Sequence, residues 1–381
     1  MSETLTTRIG RLGKIQDSLE LDAFLFTTPS TITCFSGYSY YFEIGSSPFQ
    51  ILPAALIFLP EGESTLILAD NESFRGSGIG SGIRIKPYES YVFEKPLDFT
   101  ARFLFMLNET IHESRLTNSR IGIEQNTLPY AITHALKSAC PRISWVDVSE
   151  ELSMLKATKD PDEIDSIQKA VALCDLGQAS VVKNARAGMT ELELFSLIRT
   201  EMEARIGTRL PIMLDLVSGA RTEEGGGIPS NTVIREGDLV LSDLTPCLNG
   251  YWGDTCNTLA IGKPTAEQLE HFKLIEEALQ SAIDFIKPGI RANEVDRMLR
   301  KHLSGTGEYS HHSGHGVGTS NHEEPRIVPY NKMILEKNMV IALEPAIYTN
   351  GYGIRLEHLI RITENGCEKL SAFRHCFVQE S

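Results

Sequence analysis

The sequence lacks a paired-cysteine framework, a basic cluster and a long apolar run. Its seven cysteines are scattered and none forms a C-x-x-C pair, which predicts a reduced compartment and no disulfide scaffold. The formal net charge of −14 and the lack of any long Lys/Arg cluster argue against nucleic acid or an anionic membrane as the main partner. We therefore expect a small molecule or a short peptide as the partner.

The apolar stretches are too short to cross a bilayer. The longest, ILPAALIFLP at residues 51–60, is half of the roughly 20 residues that a spanning helix requires. The polar beginning MSETLTTRIG does not contain the apolar segment of a secretory signal. We therefore expect a cytoplasmic protein.

What is present indicates a two-domain chain of 381 residues, 41% of them hydrophobic. Up to about residue 150, short apolar stretches such as STLILAD alternate with helix-like runs such as FTARFLFMLNETIHE, a pattern typical of an α/β domain. Beyond it, a long helical segment beginning with DPDEID is followed by strand-like stretches that flank another helix. We place the boundary at about residue 155, which gives domains 1–155 and 156–381.

Two Asn-Gly dipeptides predict hairpins that bring acidic side chains together. Asn350-Gly351 favours a two-residue turn because both residues tolerate positive φ, and in that register Glu344 stands opposite Glu357. Opposed side chains are roughly 5 Å apart. Two such carboxylates repel each other, so a positive group is expected between them.

The second dipeptide, Asn249-Gly250, predicts a hairpin in which Asp243 stands opposite Cys256. Asp254 lies two residues before Cys256 and therefore on the same face as Asp243, about 7 to 8 Å away as a diagonal neighbour. That separation suits a cation bound between two acids.

These four carboxylates and the histidine-rich stretch HHSGHGVGTSNHEEP, residues 311–325, predict a site for two divalent metals. Oxygen-rich ligands with one imidazole suit Mn, Fe, Co or Zn, and shared carboxylates hold two such metals roughly 3.5 to 4 Å apart. The site would lower the pKa of a bridging water and polarise a carbonyl. Its expected chemistry is hydrolysis.

The candidate ligands occur in a definite order, each inside a distinct segment. They are Asp243 in LSDL, Asp254 in GYWGDTCNT, His315 in GHGVGTSNHEEP, Glu344 in ALEPAIY and Glu357 in GIRLE. This order resembles that of the pita-bread metallopeptidases, which include methionine aminopeptidase, Xaa-Pro aminopeptidase, prolidase and creatinase. The resemblance extends from about LKATKDPDEID to TENGCEKLS. It implies an α+β fold, with a C-terminal pita-bread domain preceded by a smaller α/β creatinase-like domain.

The resemblance also implies the role of each metal ligand. Asp243 would hold one metal, His315 and Glu344 would hold the other, and Asp254 and Glu357 would bridge the two. Manganese is the expected metal, with cobalt, zinc or iron as alternatives, and no organic cofactor is expected. The implied activity is that of an Xaa-Pro aminopeptidase or dipeptidase.

Other residues are implied at the substrate. His322 and His311 match histidines that act on the substrate in this family, and Glu357 counts as catalytic because it would bridge the metals. Arg355 is expected at the substrate pocket and in support of Glu357. Three further polar residues of the same region, Glu323, Glu324 and His358, are interpreted as structural.

One position departs from the family pattern. Aminopeptidase P and prolidase have a histidine 17 residues before the first metal aspartate, whereas this chain has Gly226, within EEGGGIPS. Losing such a donor typically costs about two to three powers of ten in rate. The glycine is expected to remove a proton donor and to open space for a different substrate group.

Three classes of function therefore stay open. The first is a peptidase acting on short proline-containing peptides, and the second is a hydrolase of a small metabolite, as creatinase and ectoine hydrolase are. The third is a non-catalytic binding module, although non-enzymatic relatives generally lack metal ligands that this chain retains.

The resemblance further implies a homodimer in which the N-terminal domain closes the pocket of the other subunit. The segment CFSGYSYYFEIGSSPF suits such a loop. We expect Tyr40 and Tyr41 to contact the substrate at the entrance and to restrict the site to small substrates.

Overall fold

The computed structural model describes residues 7–39, 54–60, 62–73, 79–80, 82–306 and 309–379, so the prediction for Tyr40 and Tyr41 lies outside the described residues. The chain divides into two compact units, Met1–Leu155 and Lys156–Ser381. The helices described in the first unit are α1 (Arg8–Leu19), α2 (Pro29–Ser36), α3 (Asp70–Ser73), α4 (Phe99–Glu113), α5 (Tyr130–Ala139) and α6 (Ser149–Ala157), the last of which ends two residues beyond the unit boundary. Its strands are β1 (Ala23–Phe26), β2 (Ala55–Phe58), β3 (Ser64–Ala69), β4 (Ile83–Tyr88), β5 (Arg120–Ile123) and β6 (Ser144–Asp147).

The first unit is a six-stranded mixed sheet in the order β4-β3-β2-β1-β5-β6 with helices on both faces. Strand β1 pairs in parallel with β5 and antiparallel with β2. Phe24 and Phe26 pack with α1, α2 and α6, whereas Ala23 and Leu25 point to the opposite face and pack with α4 and α5. Because successive side chains alternate between faces, a strand that is covered on both sides is apolar throughout. The predicted α/β domain is confirmed.

In its described residues, the second unit combines four α-helices with three sheets. Its helices are α7 (Pro161–Asn184), α8 (Glu191–Ile206), α9 (Ala266–Phe285) and α10 (Ala292–His302), and a 3₁₀ helix spans Gly219–Glu224. Its strands are β7 (Ile212–Ser218), β8 (Leu239–Leu248), β9 (Tyr251–Trp252), β10 (Thr255–Ala260), β11 (Gly314–Gly316), β12 (Glu323–Ile327), β13 (Val340–Leu343), β14 (Ala346–Thr349), β15 (Tyr352–Arg355), β16 (His358–Ile362) and β17 (Cys367–Lys369).

Helix α7 supports the strands that carry the first two candidate ligands. Gln178 is buried, and its Nε2 donates hydrogen bonds to the carbonyl oxygens of Ser242 on β8 and Thr255 on β10, each at 3.1 Å. A Cβ atom at Gly177 would lie 2.6 Å from Leu244 Cδ1. A side chain at position 177 would therefore have to displace the Leu244 side chain that packs between α7 and β8.

The sheets of the second unit confirm both predicted registers. In the β10-β8-β7 sheet, Asp243 pairs with Cys256. In the β12-β11-β13-β16-β17 sheet, Leu343 pairs with His358, and beyond it the β14-β15 hairpin continues from Ala346 opposite Arg355. Glu344 follows Leu343 and Glu357 precedes His358, so both acids lie between the two ladders, in the register predicted for them.

The five-stranded sheet is covered on both faces. Val340 and Ala342 on β13 pack with α7, whereas Ile341 and Leu343 pack with α9 and α10. Strand β13 is therefore packed between helices on both faces, as the expected α+β architecture requires. In the part of the chain that is described, no helix combines the length and apolar character needed to span a bilayer.

Candidate metal centre

The β8-β9-β10 hairpin positions the first two acids on one side. Asp243 lies on β8 and Asp254 immediately precedes β10. Thr245 joins them, because its hydroxyl donates to Asp254 Oδ1 at 2.9 Å and lies 3.5 Å from Asp243 Oδ1. The predicted placement of both carboxylates on one face is confirmed.

His315 enters the site between two glycines that permit close backbone approach. A Cβ at Gly314 would lie 2.1 Å from the Ala342 carbonyl oxygen, and one at Gly316 would lie 2.1 Å from the Glu324 carbonyl oxygen. His315 Nε2 is 3.6 Å from Asp254 Oδ2. Its Nδ1 lies 3.0 Å from the Gly316 carbonyl oxygen, a contact that places the ring proton on Nδ1 and leaves the Nε2 lone pair for a metal.

Two buried acid oxygens complete the arrangement. The ligand atoms of Asp254, His315 and Glu357 lie within 4.8 Å of one another, and Glu344 Oε1 is 3.5 Å from His315 Nε2. Within the described ranges, Glu344 Oε1 and Glu357 Oε2 are buried with no hydrogen-bond partner. Leaving a buried acceptor unsatisfied is costly, so the residues fit bound cations. The five predicted ligands come together.

The electrostatics of the acids favour the same interpretation. Burial raises the pKa of Asp254 and of Glu357 well above the ordinary range, and neighbouring carboxylates raise it further. Burial also raises the pKa of Asp243 to about 6, although Arg355 opposes the shift. Glu344 differs, because its imidazole neighbours and Arg355 outweigh burial and bring its pKa to about 2. Divalent cations would allow all four acids to ionise together.

Burial lowers the pKa of His315 to about 4. The imidazole is therefore neutral near pH 7, which is the form that binds a metal.

Arg355 contacts a different acid from the predicted one. We expected it to support Glu357, but its guanidinium donates to Asp243 Oδ2 at 2.5 Å and to the Gly225 carbonyl oxygen at 2.5 Å. The reason is packing: the Arg355 backbone exchanges two hydrogen bonds with the Thr258 hydroxyl on β10. This contact brings the long side chain alongside β8 and its acid.

The two predicted substrate histidines lie in different surroundings. His322 is exposed, and its ring centroid is 4.0 Å from that of His315, so it lies on the open side of the site. His311 is more enclosed, with Nε2 2.9 Å from the Tyr348 hydroxyl and Nδ1 2.7 Å from the His312 carbonyl oxygen.

Sequence reasoning missed His312. Its Nε2 lies 2.9 Å from Glu344 Oε1, and its donor atom lies within 4.8 Å of those of His315 and His322. The feature of the sequence that could have identified His312 is its position inside the histidine-rich stretch, residues 311–325. The family resemblance drew attention to its neighbour His311 instead.

Sequence reasoning also missed Asp215, which lies next to Gly226. The expectation that Gly226 opens space for a substrate group is wrong. A Cβ at Gly226 would lie 2.1 Å from Asp215 Oδ2, so a carboxylate fills that place. Asp215 pairs with Asp243 across β7 and β8 and therefore shares its face. Its side chain is 44% exposed, and its Oδ2 is 4.0 Å from the Arg355 guanidinium. The signal was a single acid within the apolar strand IMLDLVS.

The residues interpreted as structural have structural contacts. Buried Glu323 pairs with Lys159 at 2.9 Å and Lys156 at 3.3 Å, which fixes the loop carrying His322. Glu324 accepts from the Arg326 backbone N–H at 2.8 Å. A separate buried contact joins His358 Nδ1 and the Ser371 hydroxyl at 2.8 Å.

Comparisons with known proteins cover both units. The model of metallopeptidase family M24 matches residues 165–364, and that of the creatinase/prolidase N-terminal domain matches residues 8–157. The chain is 29% identical to an Xaa-Pro dipeptidase of Pyrococcus furiosus over 96% of this chain and 97% of that protein. It is 32% identical to an Xaa-Pro dipeptidase of Pyrococcus horikoshii over 66% of this chain and 72% of that protein. The crystal structure of the prolidase from Pyrococcus horikoshii aligns with a TM-score of 0.79 and 25% identity over 97% of this chain and 99% of that one.

Proposed function

The chain belongs to metallopeptidase family M24 and is a metallohydrolase, and from this premise we propose that it is an Xaa-Pro dipeptidase-like enzyme that uses two divalent metals. Its substrates would be short proline-containing peptides, cleaved at an amide C–N bond. The observation that carries this proposal is the pair of unsatisfied buried oxygens, Glu344 Oε1 and Glu357 Oε2, beside the neutral imidazole of His315.

The proposed metal positions follow from the donor set. Asp243 would hold one metal, His315 and Glu344 the other, and Asp254 and Glu357 both. Four carboxylates with one imidazole suit manganese, with cobalt, zinc or iron as alternatives. When bound, the metals supply a water of lowered pKa and polarise the substrate carbonyl.

His322 would orient the substrate. Although the residue is exposed, partial desolvation of its ring within the histidine cluster and the neighbouring His312 lower the pKa of His322. The ring is therefore neutral near pH 7 and offers one hydrogen-bond donor and one acceptor. Its exposed position beside His315 supports a contact between these groups and the scissile carbonyl.

His311 would take part less directly. Its Nδ1 contact with the His312 carbonyl oxygen leaves Nε2 to accept from the Tyr348 hydroxyl. The same hydroxyl lies 3.3 Å from the Arg355 guanidinium. For His311 to hold a proton near the leaving amine of the substrate, its Nε2 would first have to release the Tyr348 hydroxyl.

Asp215 favours a second candidate, a hydrolase of a small cationic nitrogenous compound, as in the creatinase or ectoine hydrolase branch. Its half-exposed carboxylate fills the space beside Gly226, the position at which the family resemblance implies a histidine. An anionic group there attracts a positive substrate group. In a proline-containing dipeptide, the positive group that could pair with the Asp215 carboxylate is the terminal amine.

One experiment separates these functions. The purified protein, loaded with manganese and checked by elemental analysis, is assayed on Xaa-Pro dipeptides, longer Xaa-Pro peptides and small cyclic amides. Release of proline from dipeptides supports the peptidase, whereas turnover confined to cationic metabolites supports the second candidate. Two bound metals with no turnover on any of these compounds would favour the non-catalytic binding module.

We further propose a cytoplasmic homodimer. The seven cysteines all lie in the described residues and form no disulfide there, as suits a reducing compartment. Closed two-fold dimers are the commonest oligomers.

A further inference from the structure

We infer that His312 is an additional ligand of the metal held by His315 and Glu344, so that this position has two imidazoles and prefers zinc. The inference rests on the proposed metal-dependent function. It goes beyond the ligand set predicted from the sequence, in which His315 supplies the single imidazole.

The first observation is the spacing of three donor atoms. Glu344 Oε1 is 2.9 Å from His312 Nε2 and 3.5 Å from His315 Nε2. With metal–ligand bonds of about 2.0 to 2.1 Å, adjacent ligands of an octahedral or tetrahedral ion lie roughly 2.9 to 3.4 Å apart. Glu344 Oε1 therefore lies at a ligand-like separation from His312 Nε2 and at a slightly longer one from His315 Nε2, and donor atoms of the two imidazoles lie within 4.8 Å of each other.

The second observation is the geometry of the contact between Glu344 and His312. Although Glu344 Oε1 and His312 Nε2 are 2.9 Å apart, that oxygen has no hydrogen-bond partner of acceptable geometry in the described part of the chain. The rings of His312 and His315 are nearly perpendicular, at 79°, with centroids 5.1 Å apart. A cation between the donors would satisfy the oxygen that neither ring satisfies by hydrogen bonding.

The backbone that carries His312 is held rigidly by α10. Arg300 donates to the carbonyl oxygens of Tyr309 and His311, each at 2.7 Å. The adjacent Ser313 is buried, and its hydroxyl donates to Asp296 Oδ1 at 2.7 Å. A donor fixed in this way loses little freedom when it binds a metal.

The consequence is that the two metal positions differ. Imidazole nitrogen suits zinc, whereas an all-carboxylate position suits manganese. The position formed by His312, His315 and Glu344 should select zinc. The position that Asp243 forms with the two shared acids should accept manganese.

The test measures metal binding without substrate. Zinc and manganese affinities are determined by competition with a chromophoric chelator for the wild type, His312→Ala and the control His302→Ala, which removes an exposed imidazole from the end of α10. Altering a residue that only orients a ligand typically lowers metal affinity about 10-fold to 100-fold. For His312→Ala we expect zinc affinity to fall by more than about 100-fold, with manganese affinity nearly unchanged and the control equal to wild type.

X-ray absorption at the zinc edge, with one equivalent of zinc bound, counts the imidazoles directly. We expect two in the wild type and one in His312→Ala, and His312→Asn provides the same test if the alanine variant does not fold. One imidazole in the wild type, or unchanged zinc affinity in the variant, overturns the inference. A 10-fold to 100-fold loss with an unchanged imidazole count makes His312 a positioning residue and also overturns it. Since no substrate is involved, these outcomes are separate from any failure to cleave Xaa-Pro peptides.

Discussion

Asp215 and Gly226 share one space beside the metal ligands: a Cβ at position 226 would lie 2.1 Å from Asp215 Oδ2. The carboxylate and the missing side chain are therefore coupled features of this chain. Replacing Gly226 alone does not place an imidazole here without displacement, because any side chain at position 226 has to move the Asp215 carboxylate.

We predict that Gly226→His alone destabilises the protein by roughly 1 to 3 kcal/mol through overpacking. The double variant Asp215→Ala/Gly226→His should recover much of that loss and should cleave Xaa-Pro dipeptides faster than Asp215→Ala. Urea unfolding and dipeptide assays of all four proteins form a double-mutant cycle. Additive effects on stability would show that the two side chains do not compete for space.

Asp254→Asn and Glu357→Gln are each predicted to abolish turnover, because each removes a charge that would hold both metals. The metal-free variants should be at least as stable as metal-free wild type, since each change removes one member of a buried group of mutually repelling acids. Elemental analysis, activity and thermal unfolding check this. Full activity after exhaustive metal removal would rule out metal catalysis.

His322→Ala is predicted to leave metal content unchanged and to lower the rate about 100-fold to 1,000-fold, as for the loss of one oriented hydrogen-bond donor. The exposed position of the ring on the open side of His315 is the reason. Metal analysis and steady-state kinetics are compared with those of wild type. A missing metal equivalent in this variant would make His322 a ligand.

Buried Glu323 should stabilise the fold in a pH-dependent manner. Burial alone would raise its pKa, but Lys159 and Lys156 outweigh burial and lower it from 4.5 to about 2. Because the folded-state pKa lies below the ordinary value, the stabilisation is complete above pH 4.5 and is lost as the pH falls towards 2.

At pH 7, Glu323→Gln is predicted to lower the free energy of unfolding by roughly 3 kcal/mol, because it removes the carboxylate that neutralises the buried Lys159 ammonium. The difference from wild type should shrink as the pH falls below 4.5. Urea unfolding from pH 7 downwards measures it, with Glu364→Gln as the control. Glu364 pairs with Lys337 on the surface, so its loss should cost less than about 1 kcal/mol. A constant difference at all pH values would contradict the assigned charge pairing.

The fifth prediction concerns assembly and the substrate entrance. Light scattering should show a homodimer, and a fully active monomer would refute it. Substitution of Tyr40 and Tyr41 should alter substrate preference more than metal affinity, because neither residue belongs to the ligand set. Parallel titrations with metal and kinetics on dipeptides and longer peptides test this.

Local sequence patterns were sufficient for much of the fold. The run predicted as a helix, FTARFLFMLNETIHE, spans the same residues as α4, Phe99–Glu113. Turn chemistry predicted the pairing of Asp243 with Cys256, because an Asn-Gly turn determines which residues oppose each other. The four acids could be grouped for the same reason, since strand alternation places their side chains on predictable faces, whereas His315 and the order of the ligands came from the family resemblance.

The sequence by itself thus determined much of the secondary structure, the two hairpin registers and the grouping of the four acids, because turn geometry and side-chain alternation act over a few residues. Only the tertiary structure decided that Arg355 binds Asp243, that Asp215 fills the space beside Gly226 and that His312 points at Glu344. Each of these depends on how far a side chain reaches across elements that are distant in the chain. Their positions are determined by packing, such as the contact of Thr258 with the Arg355 backbone, and no local pattern encodes that packing.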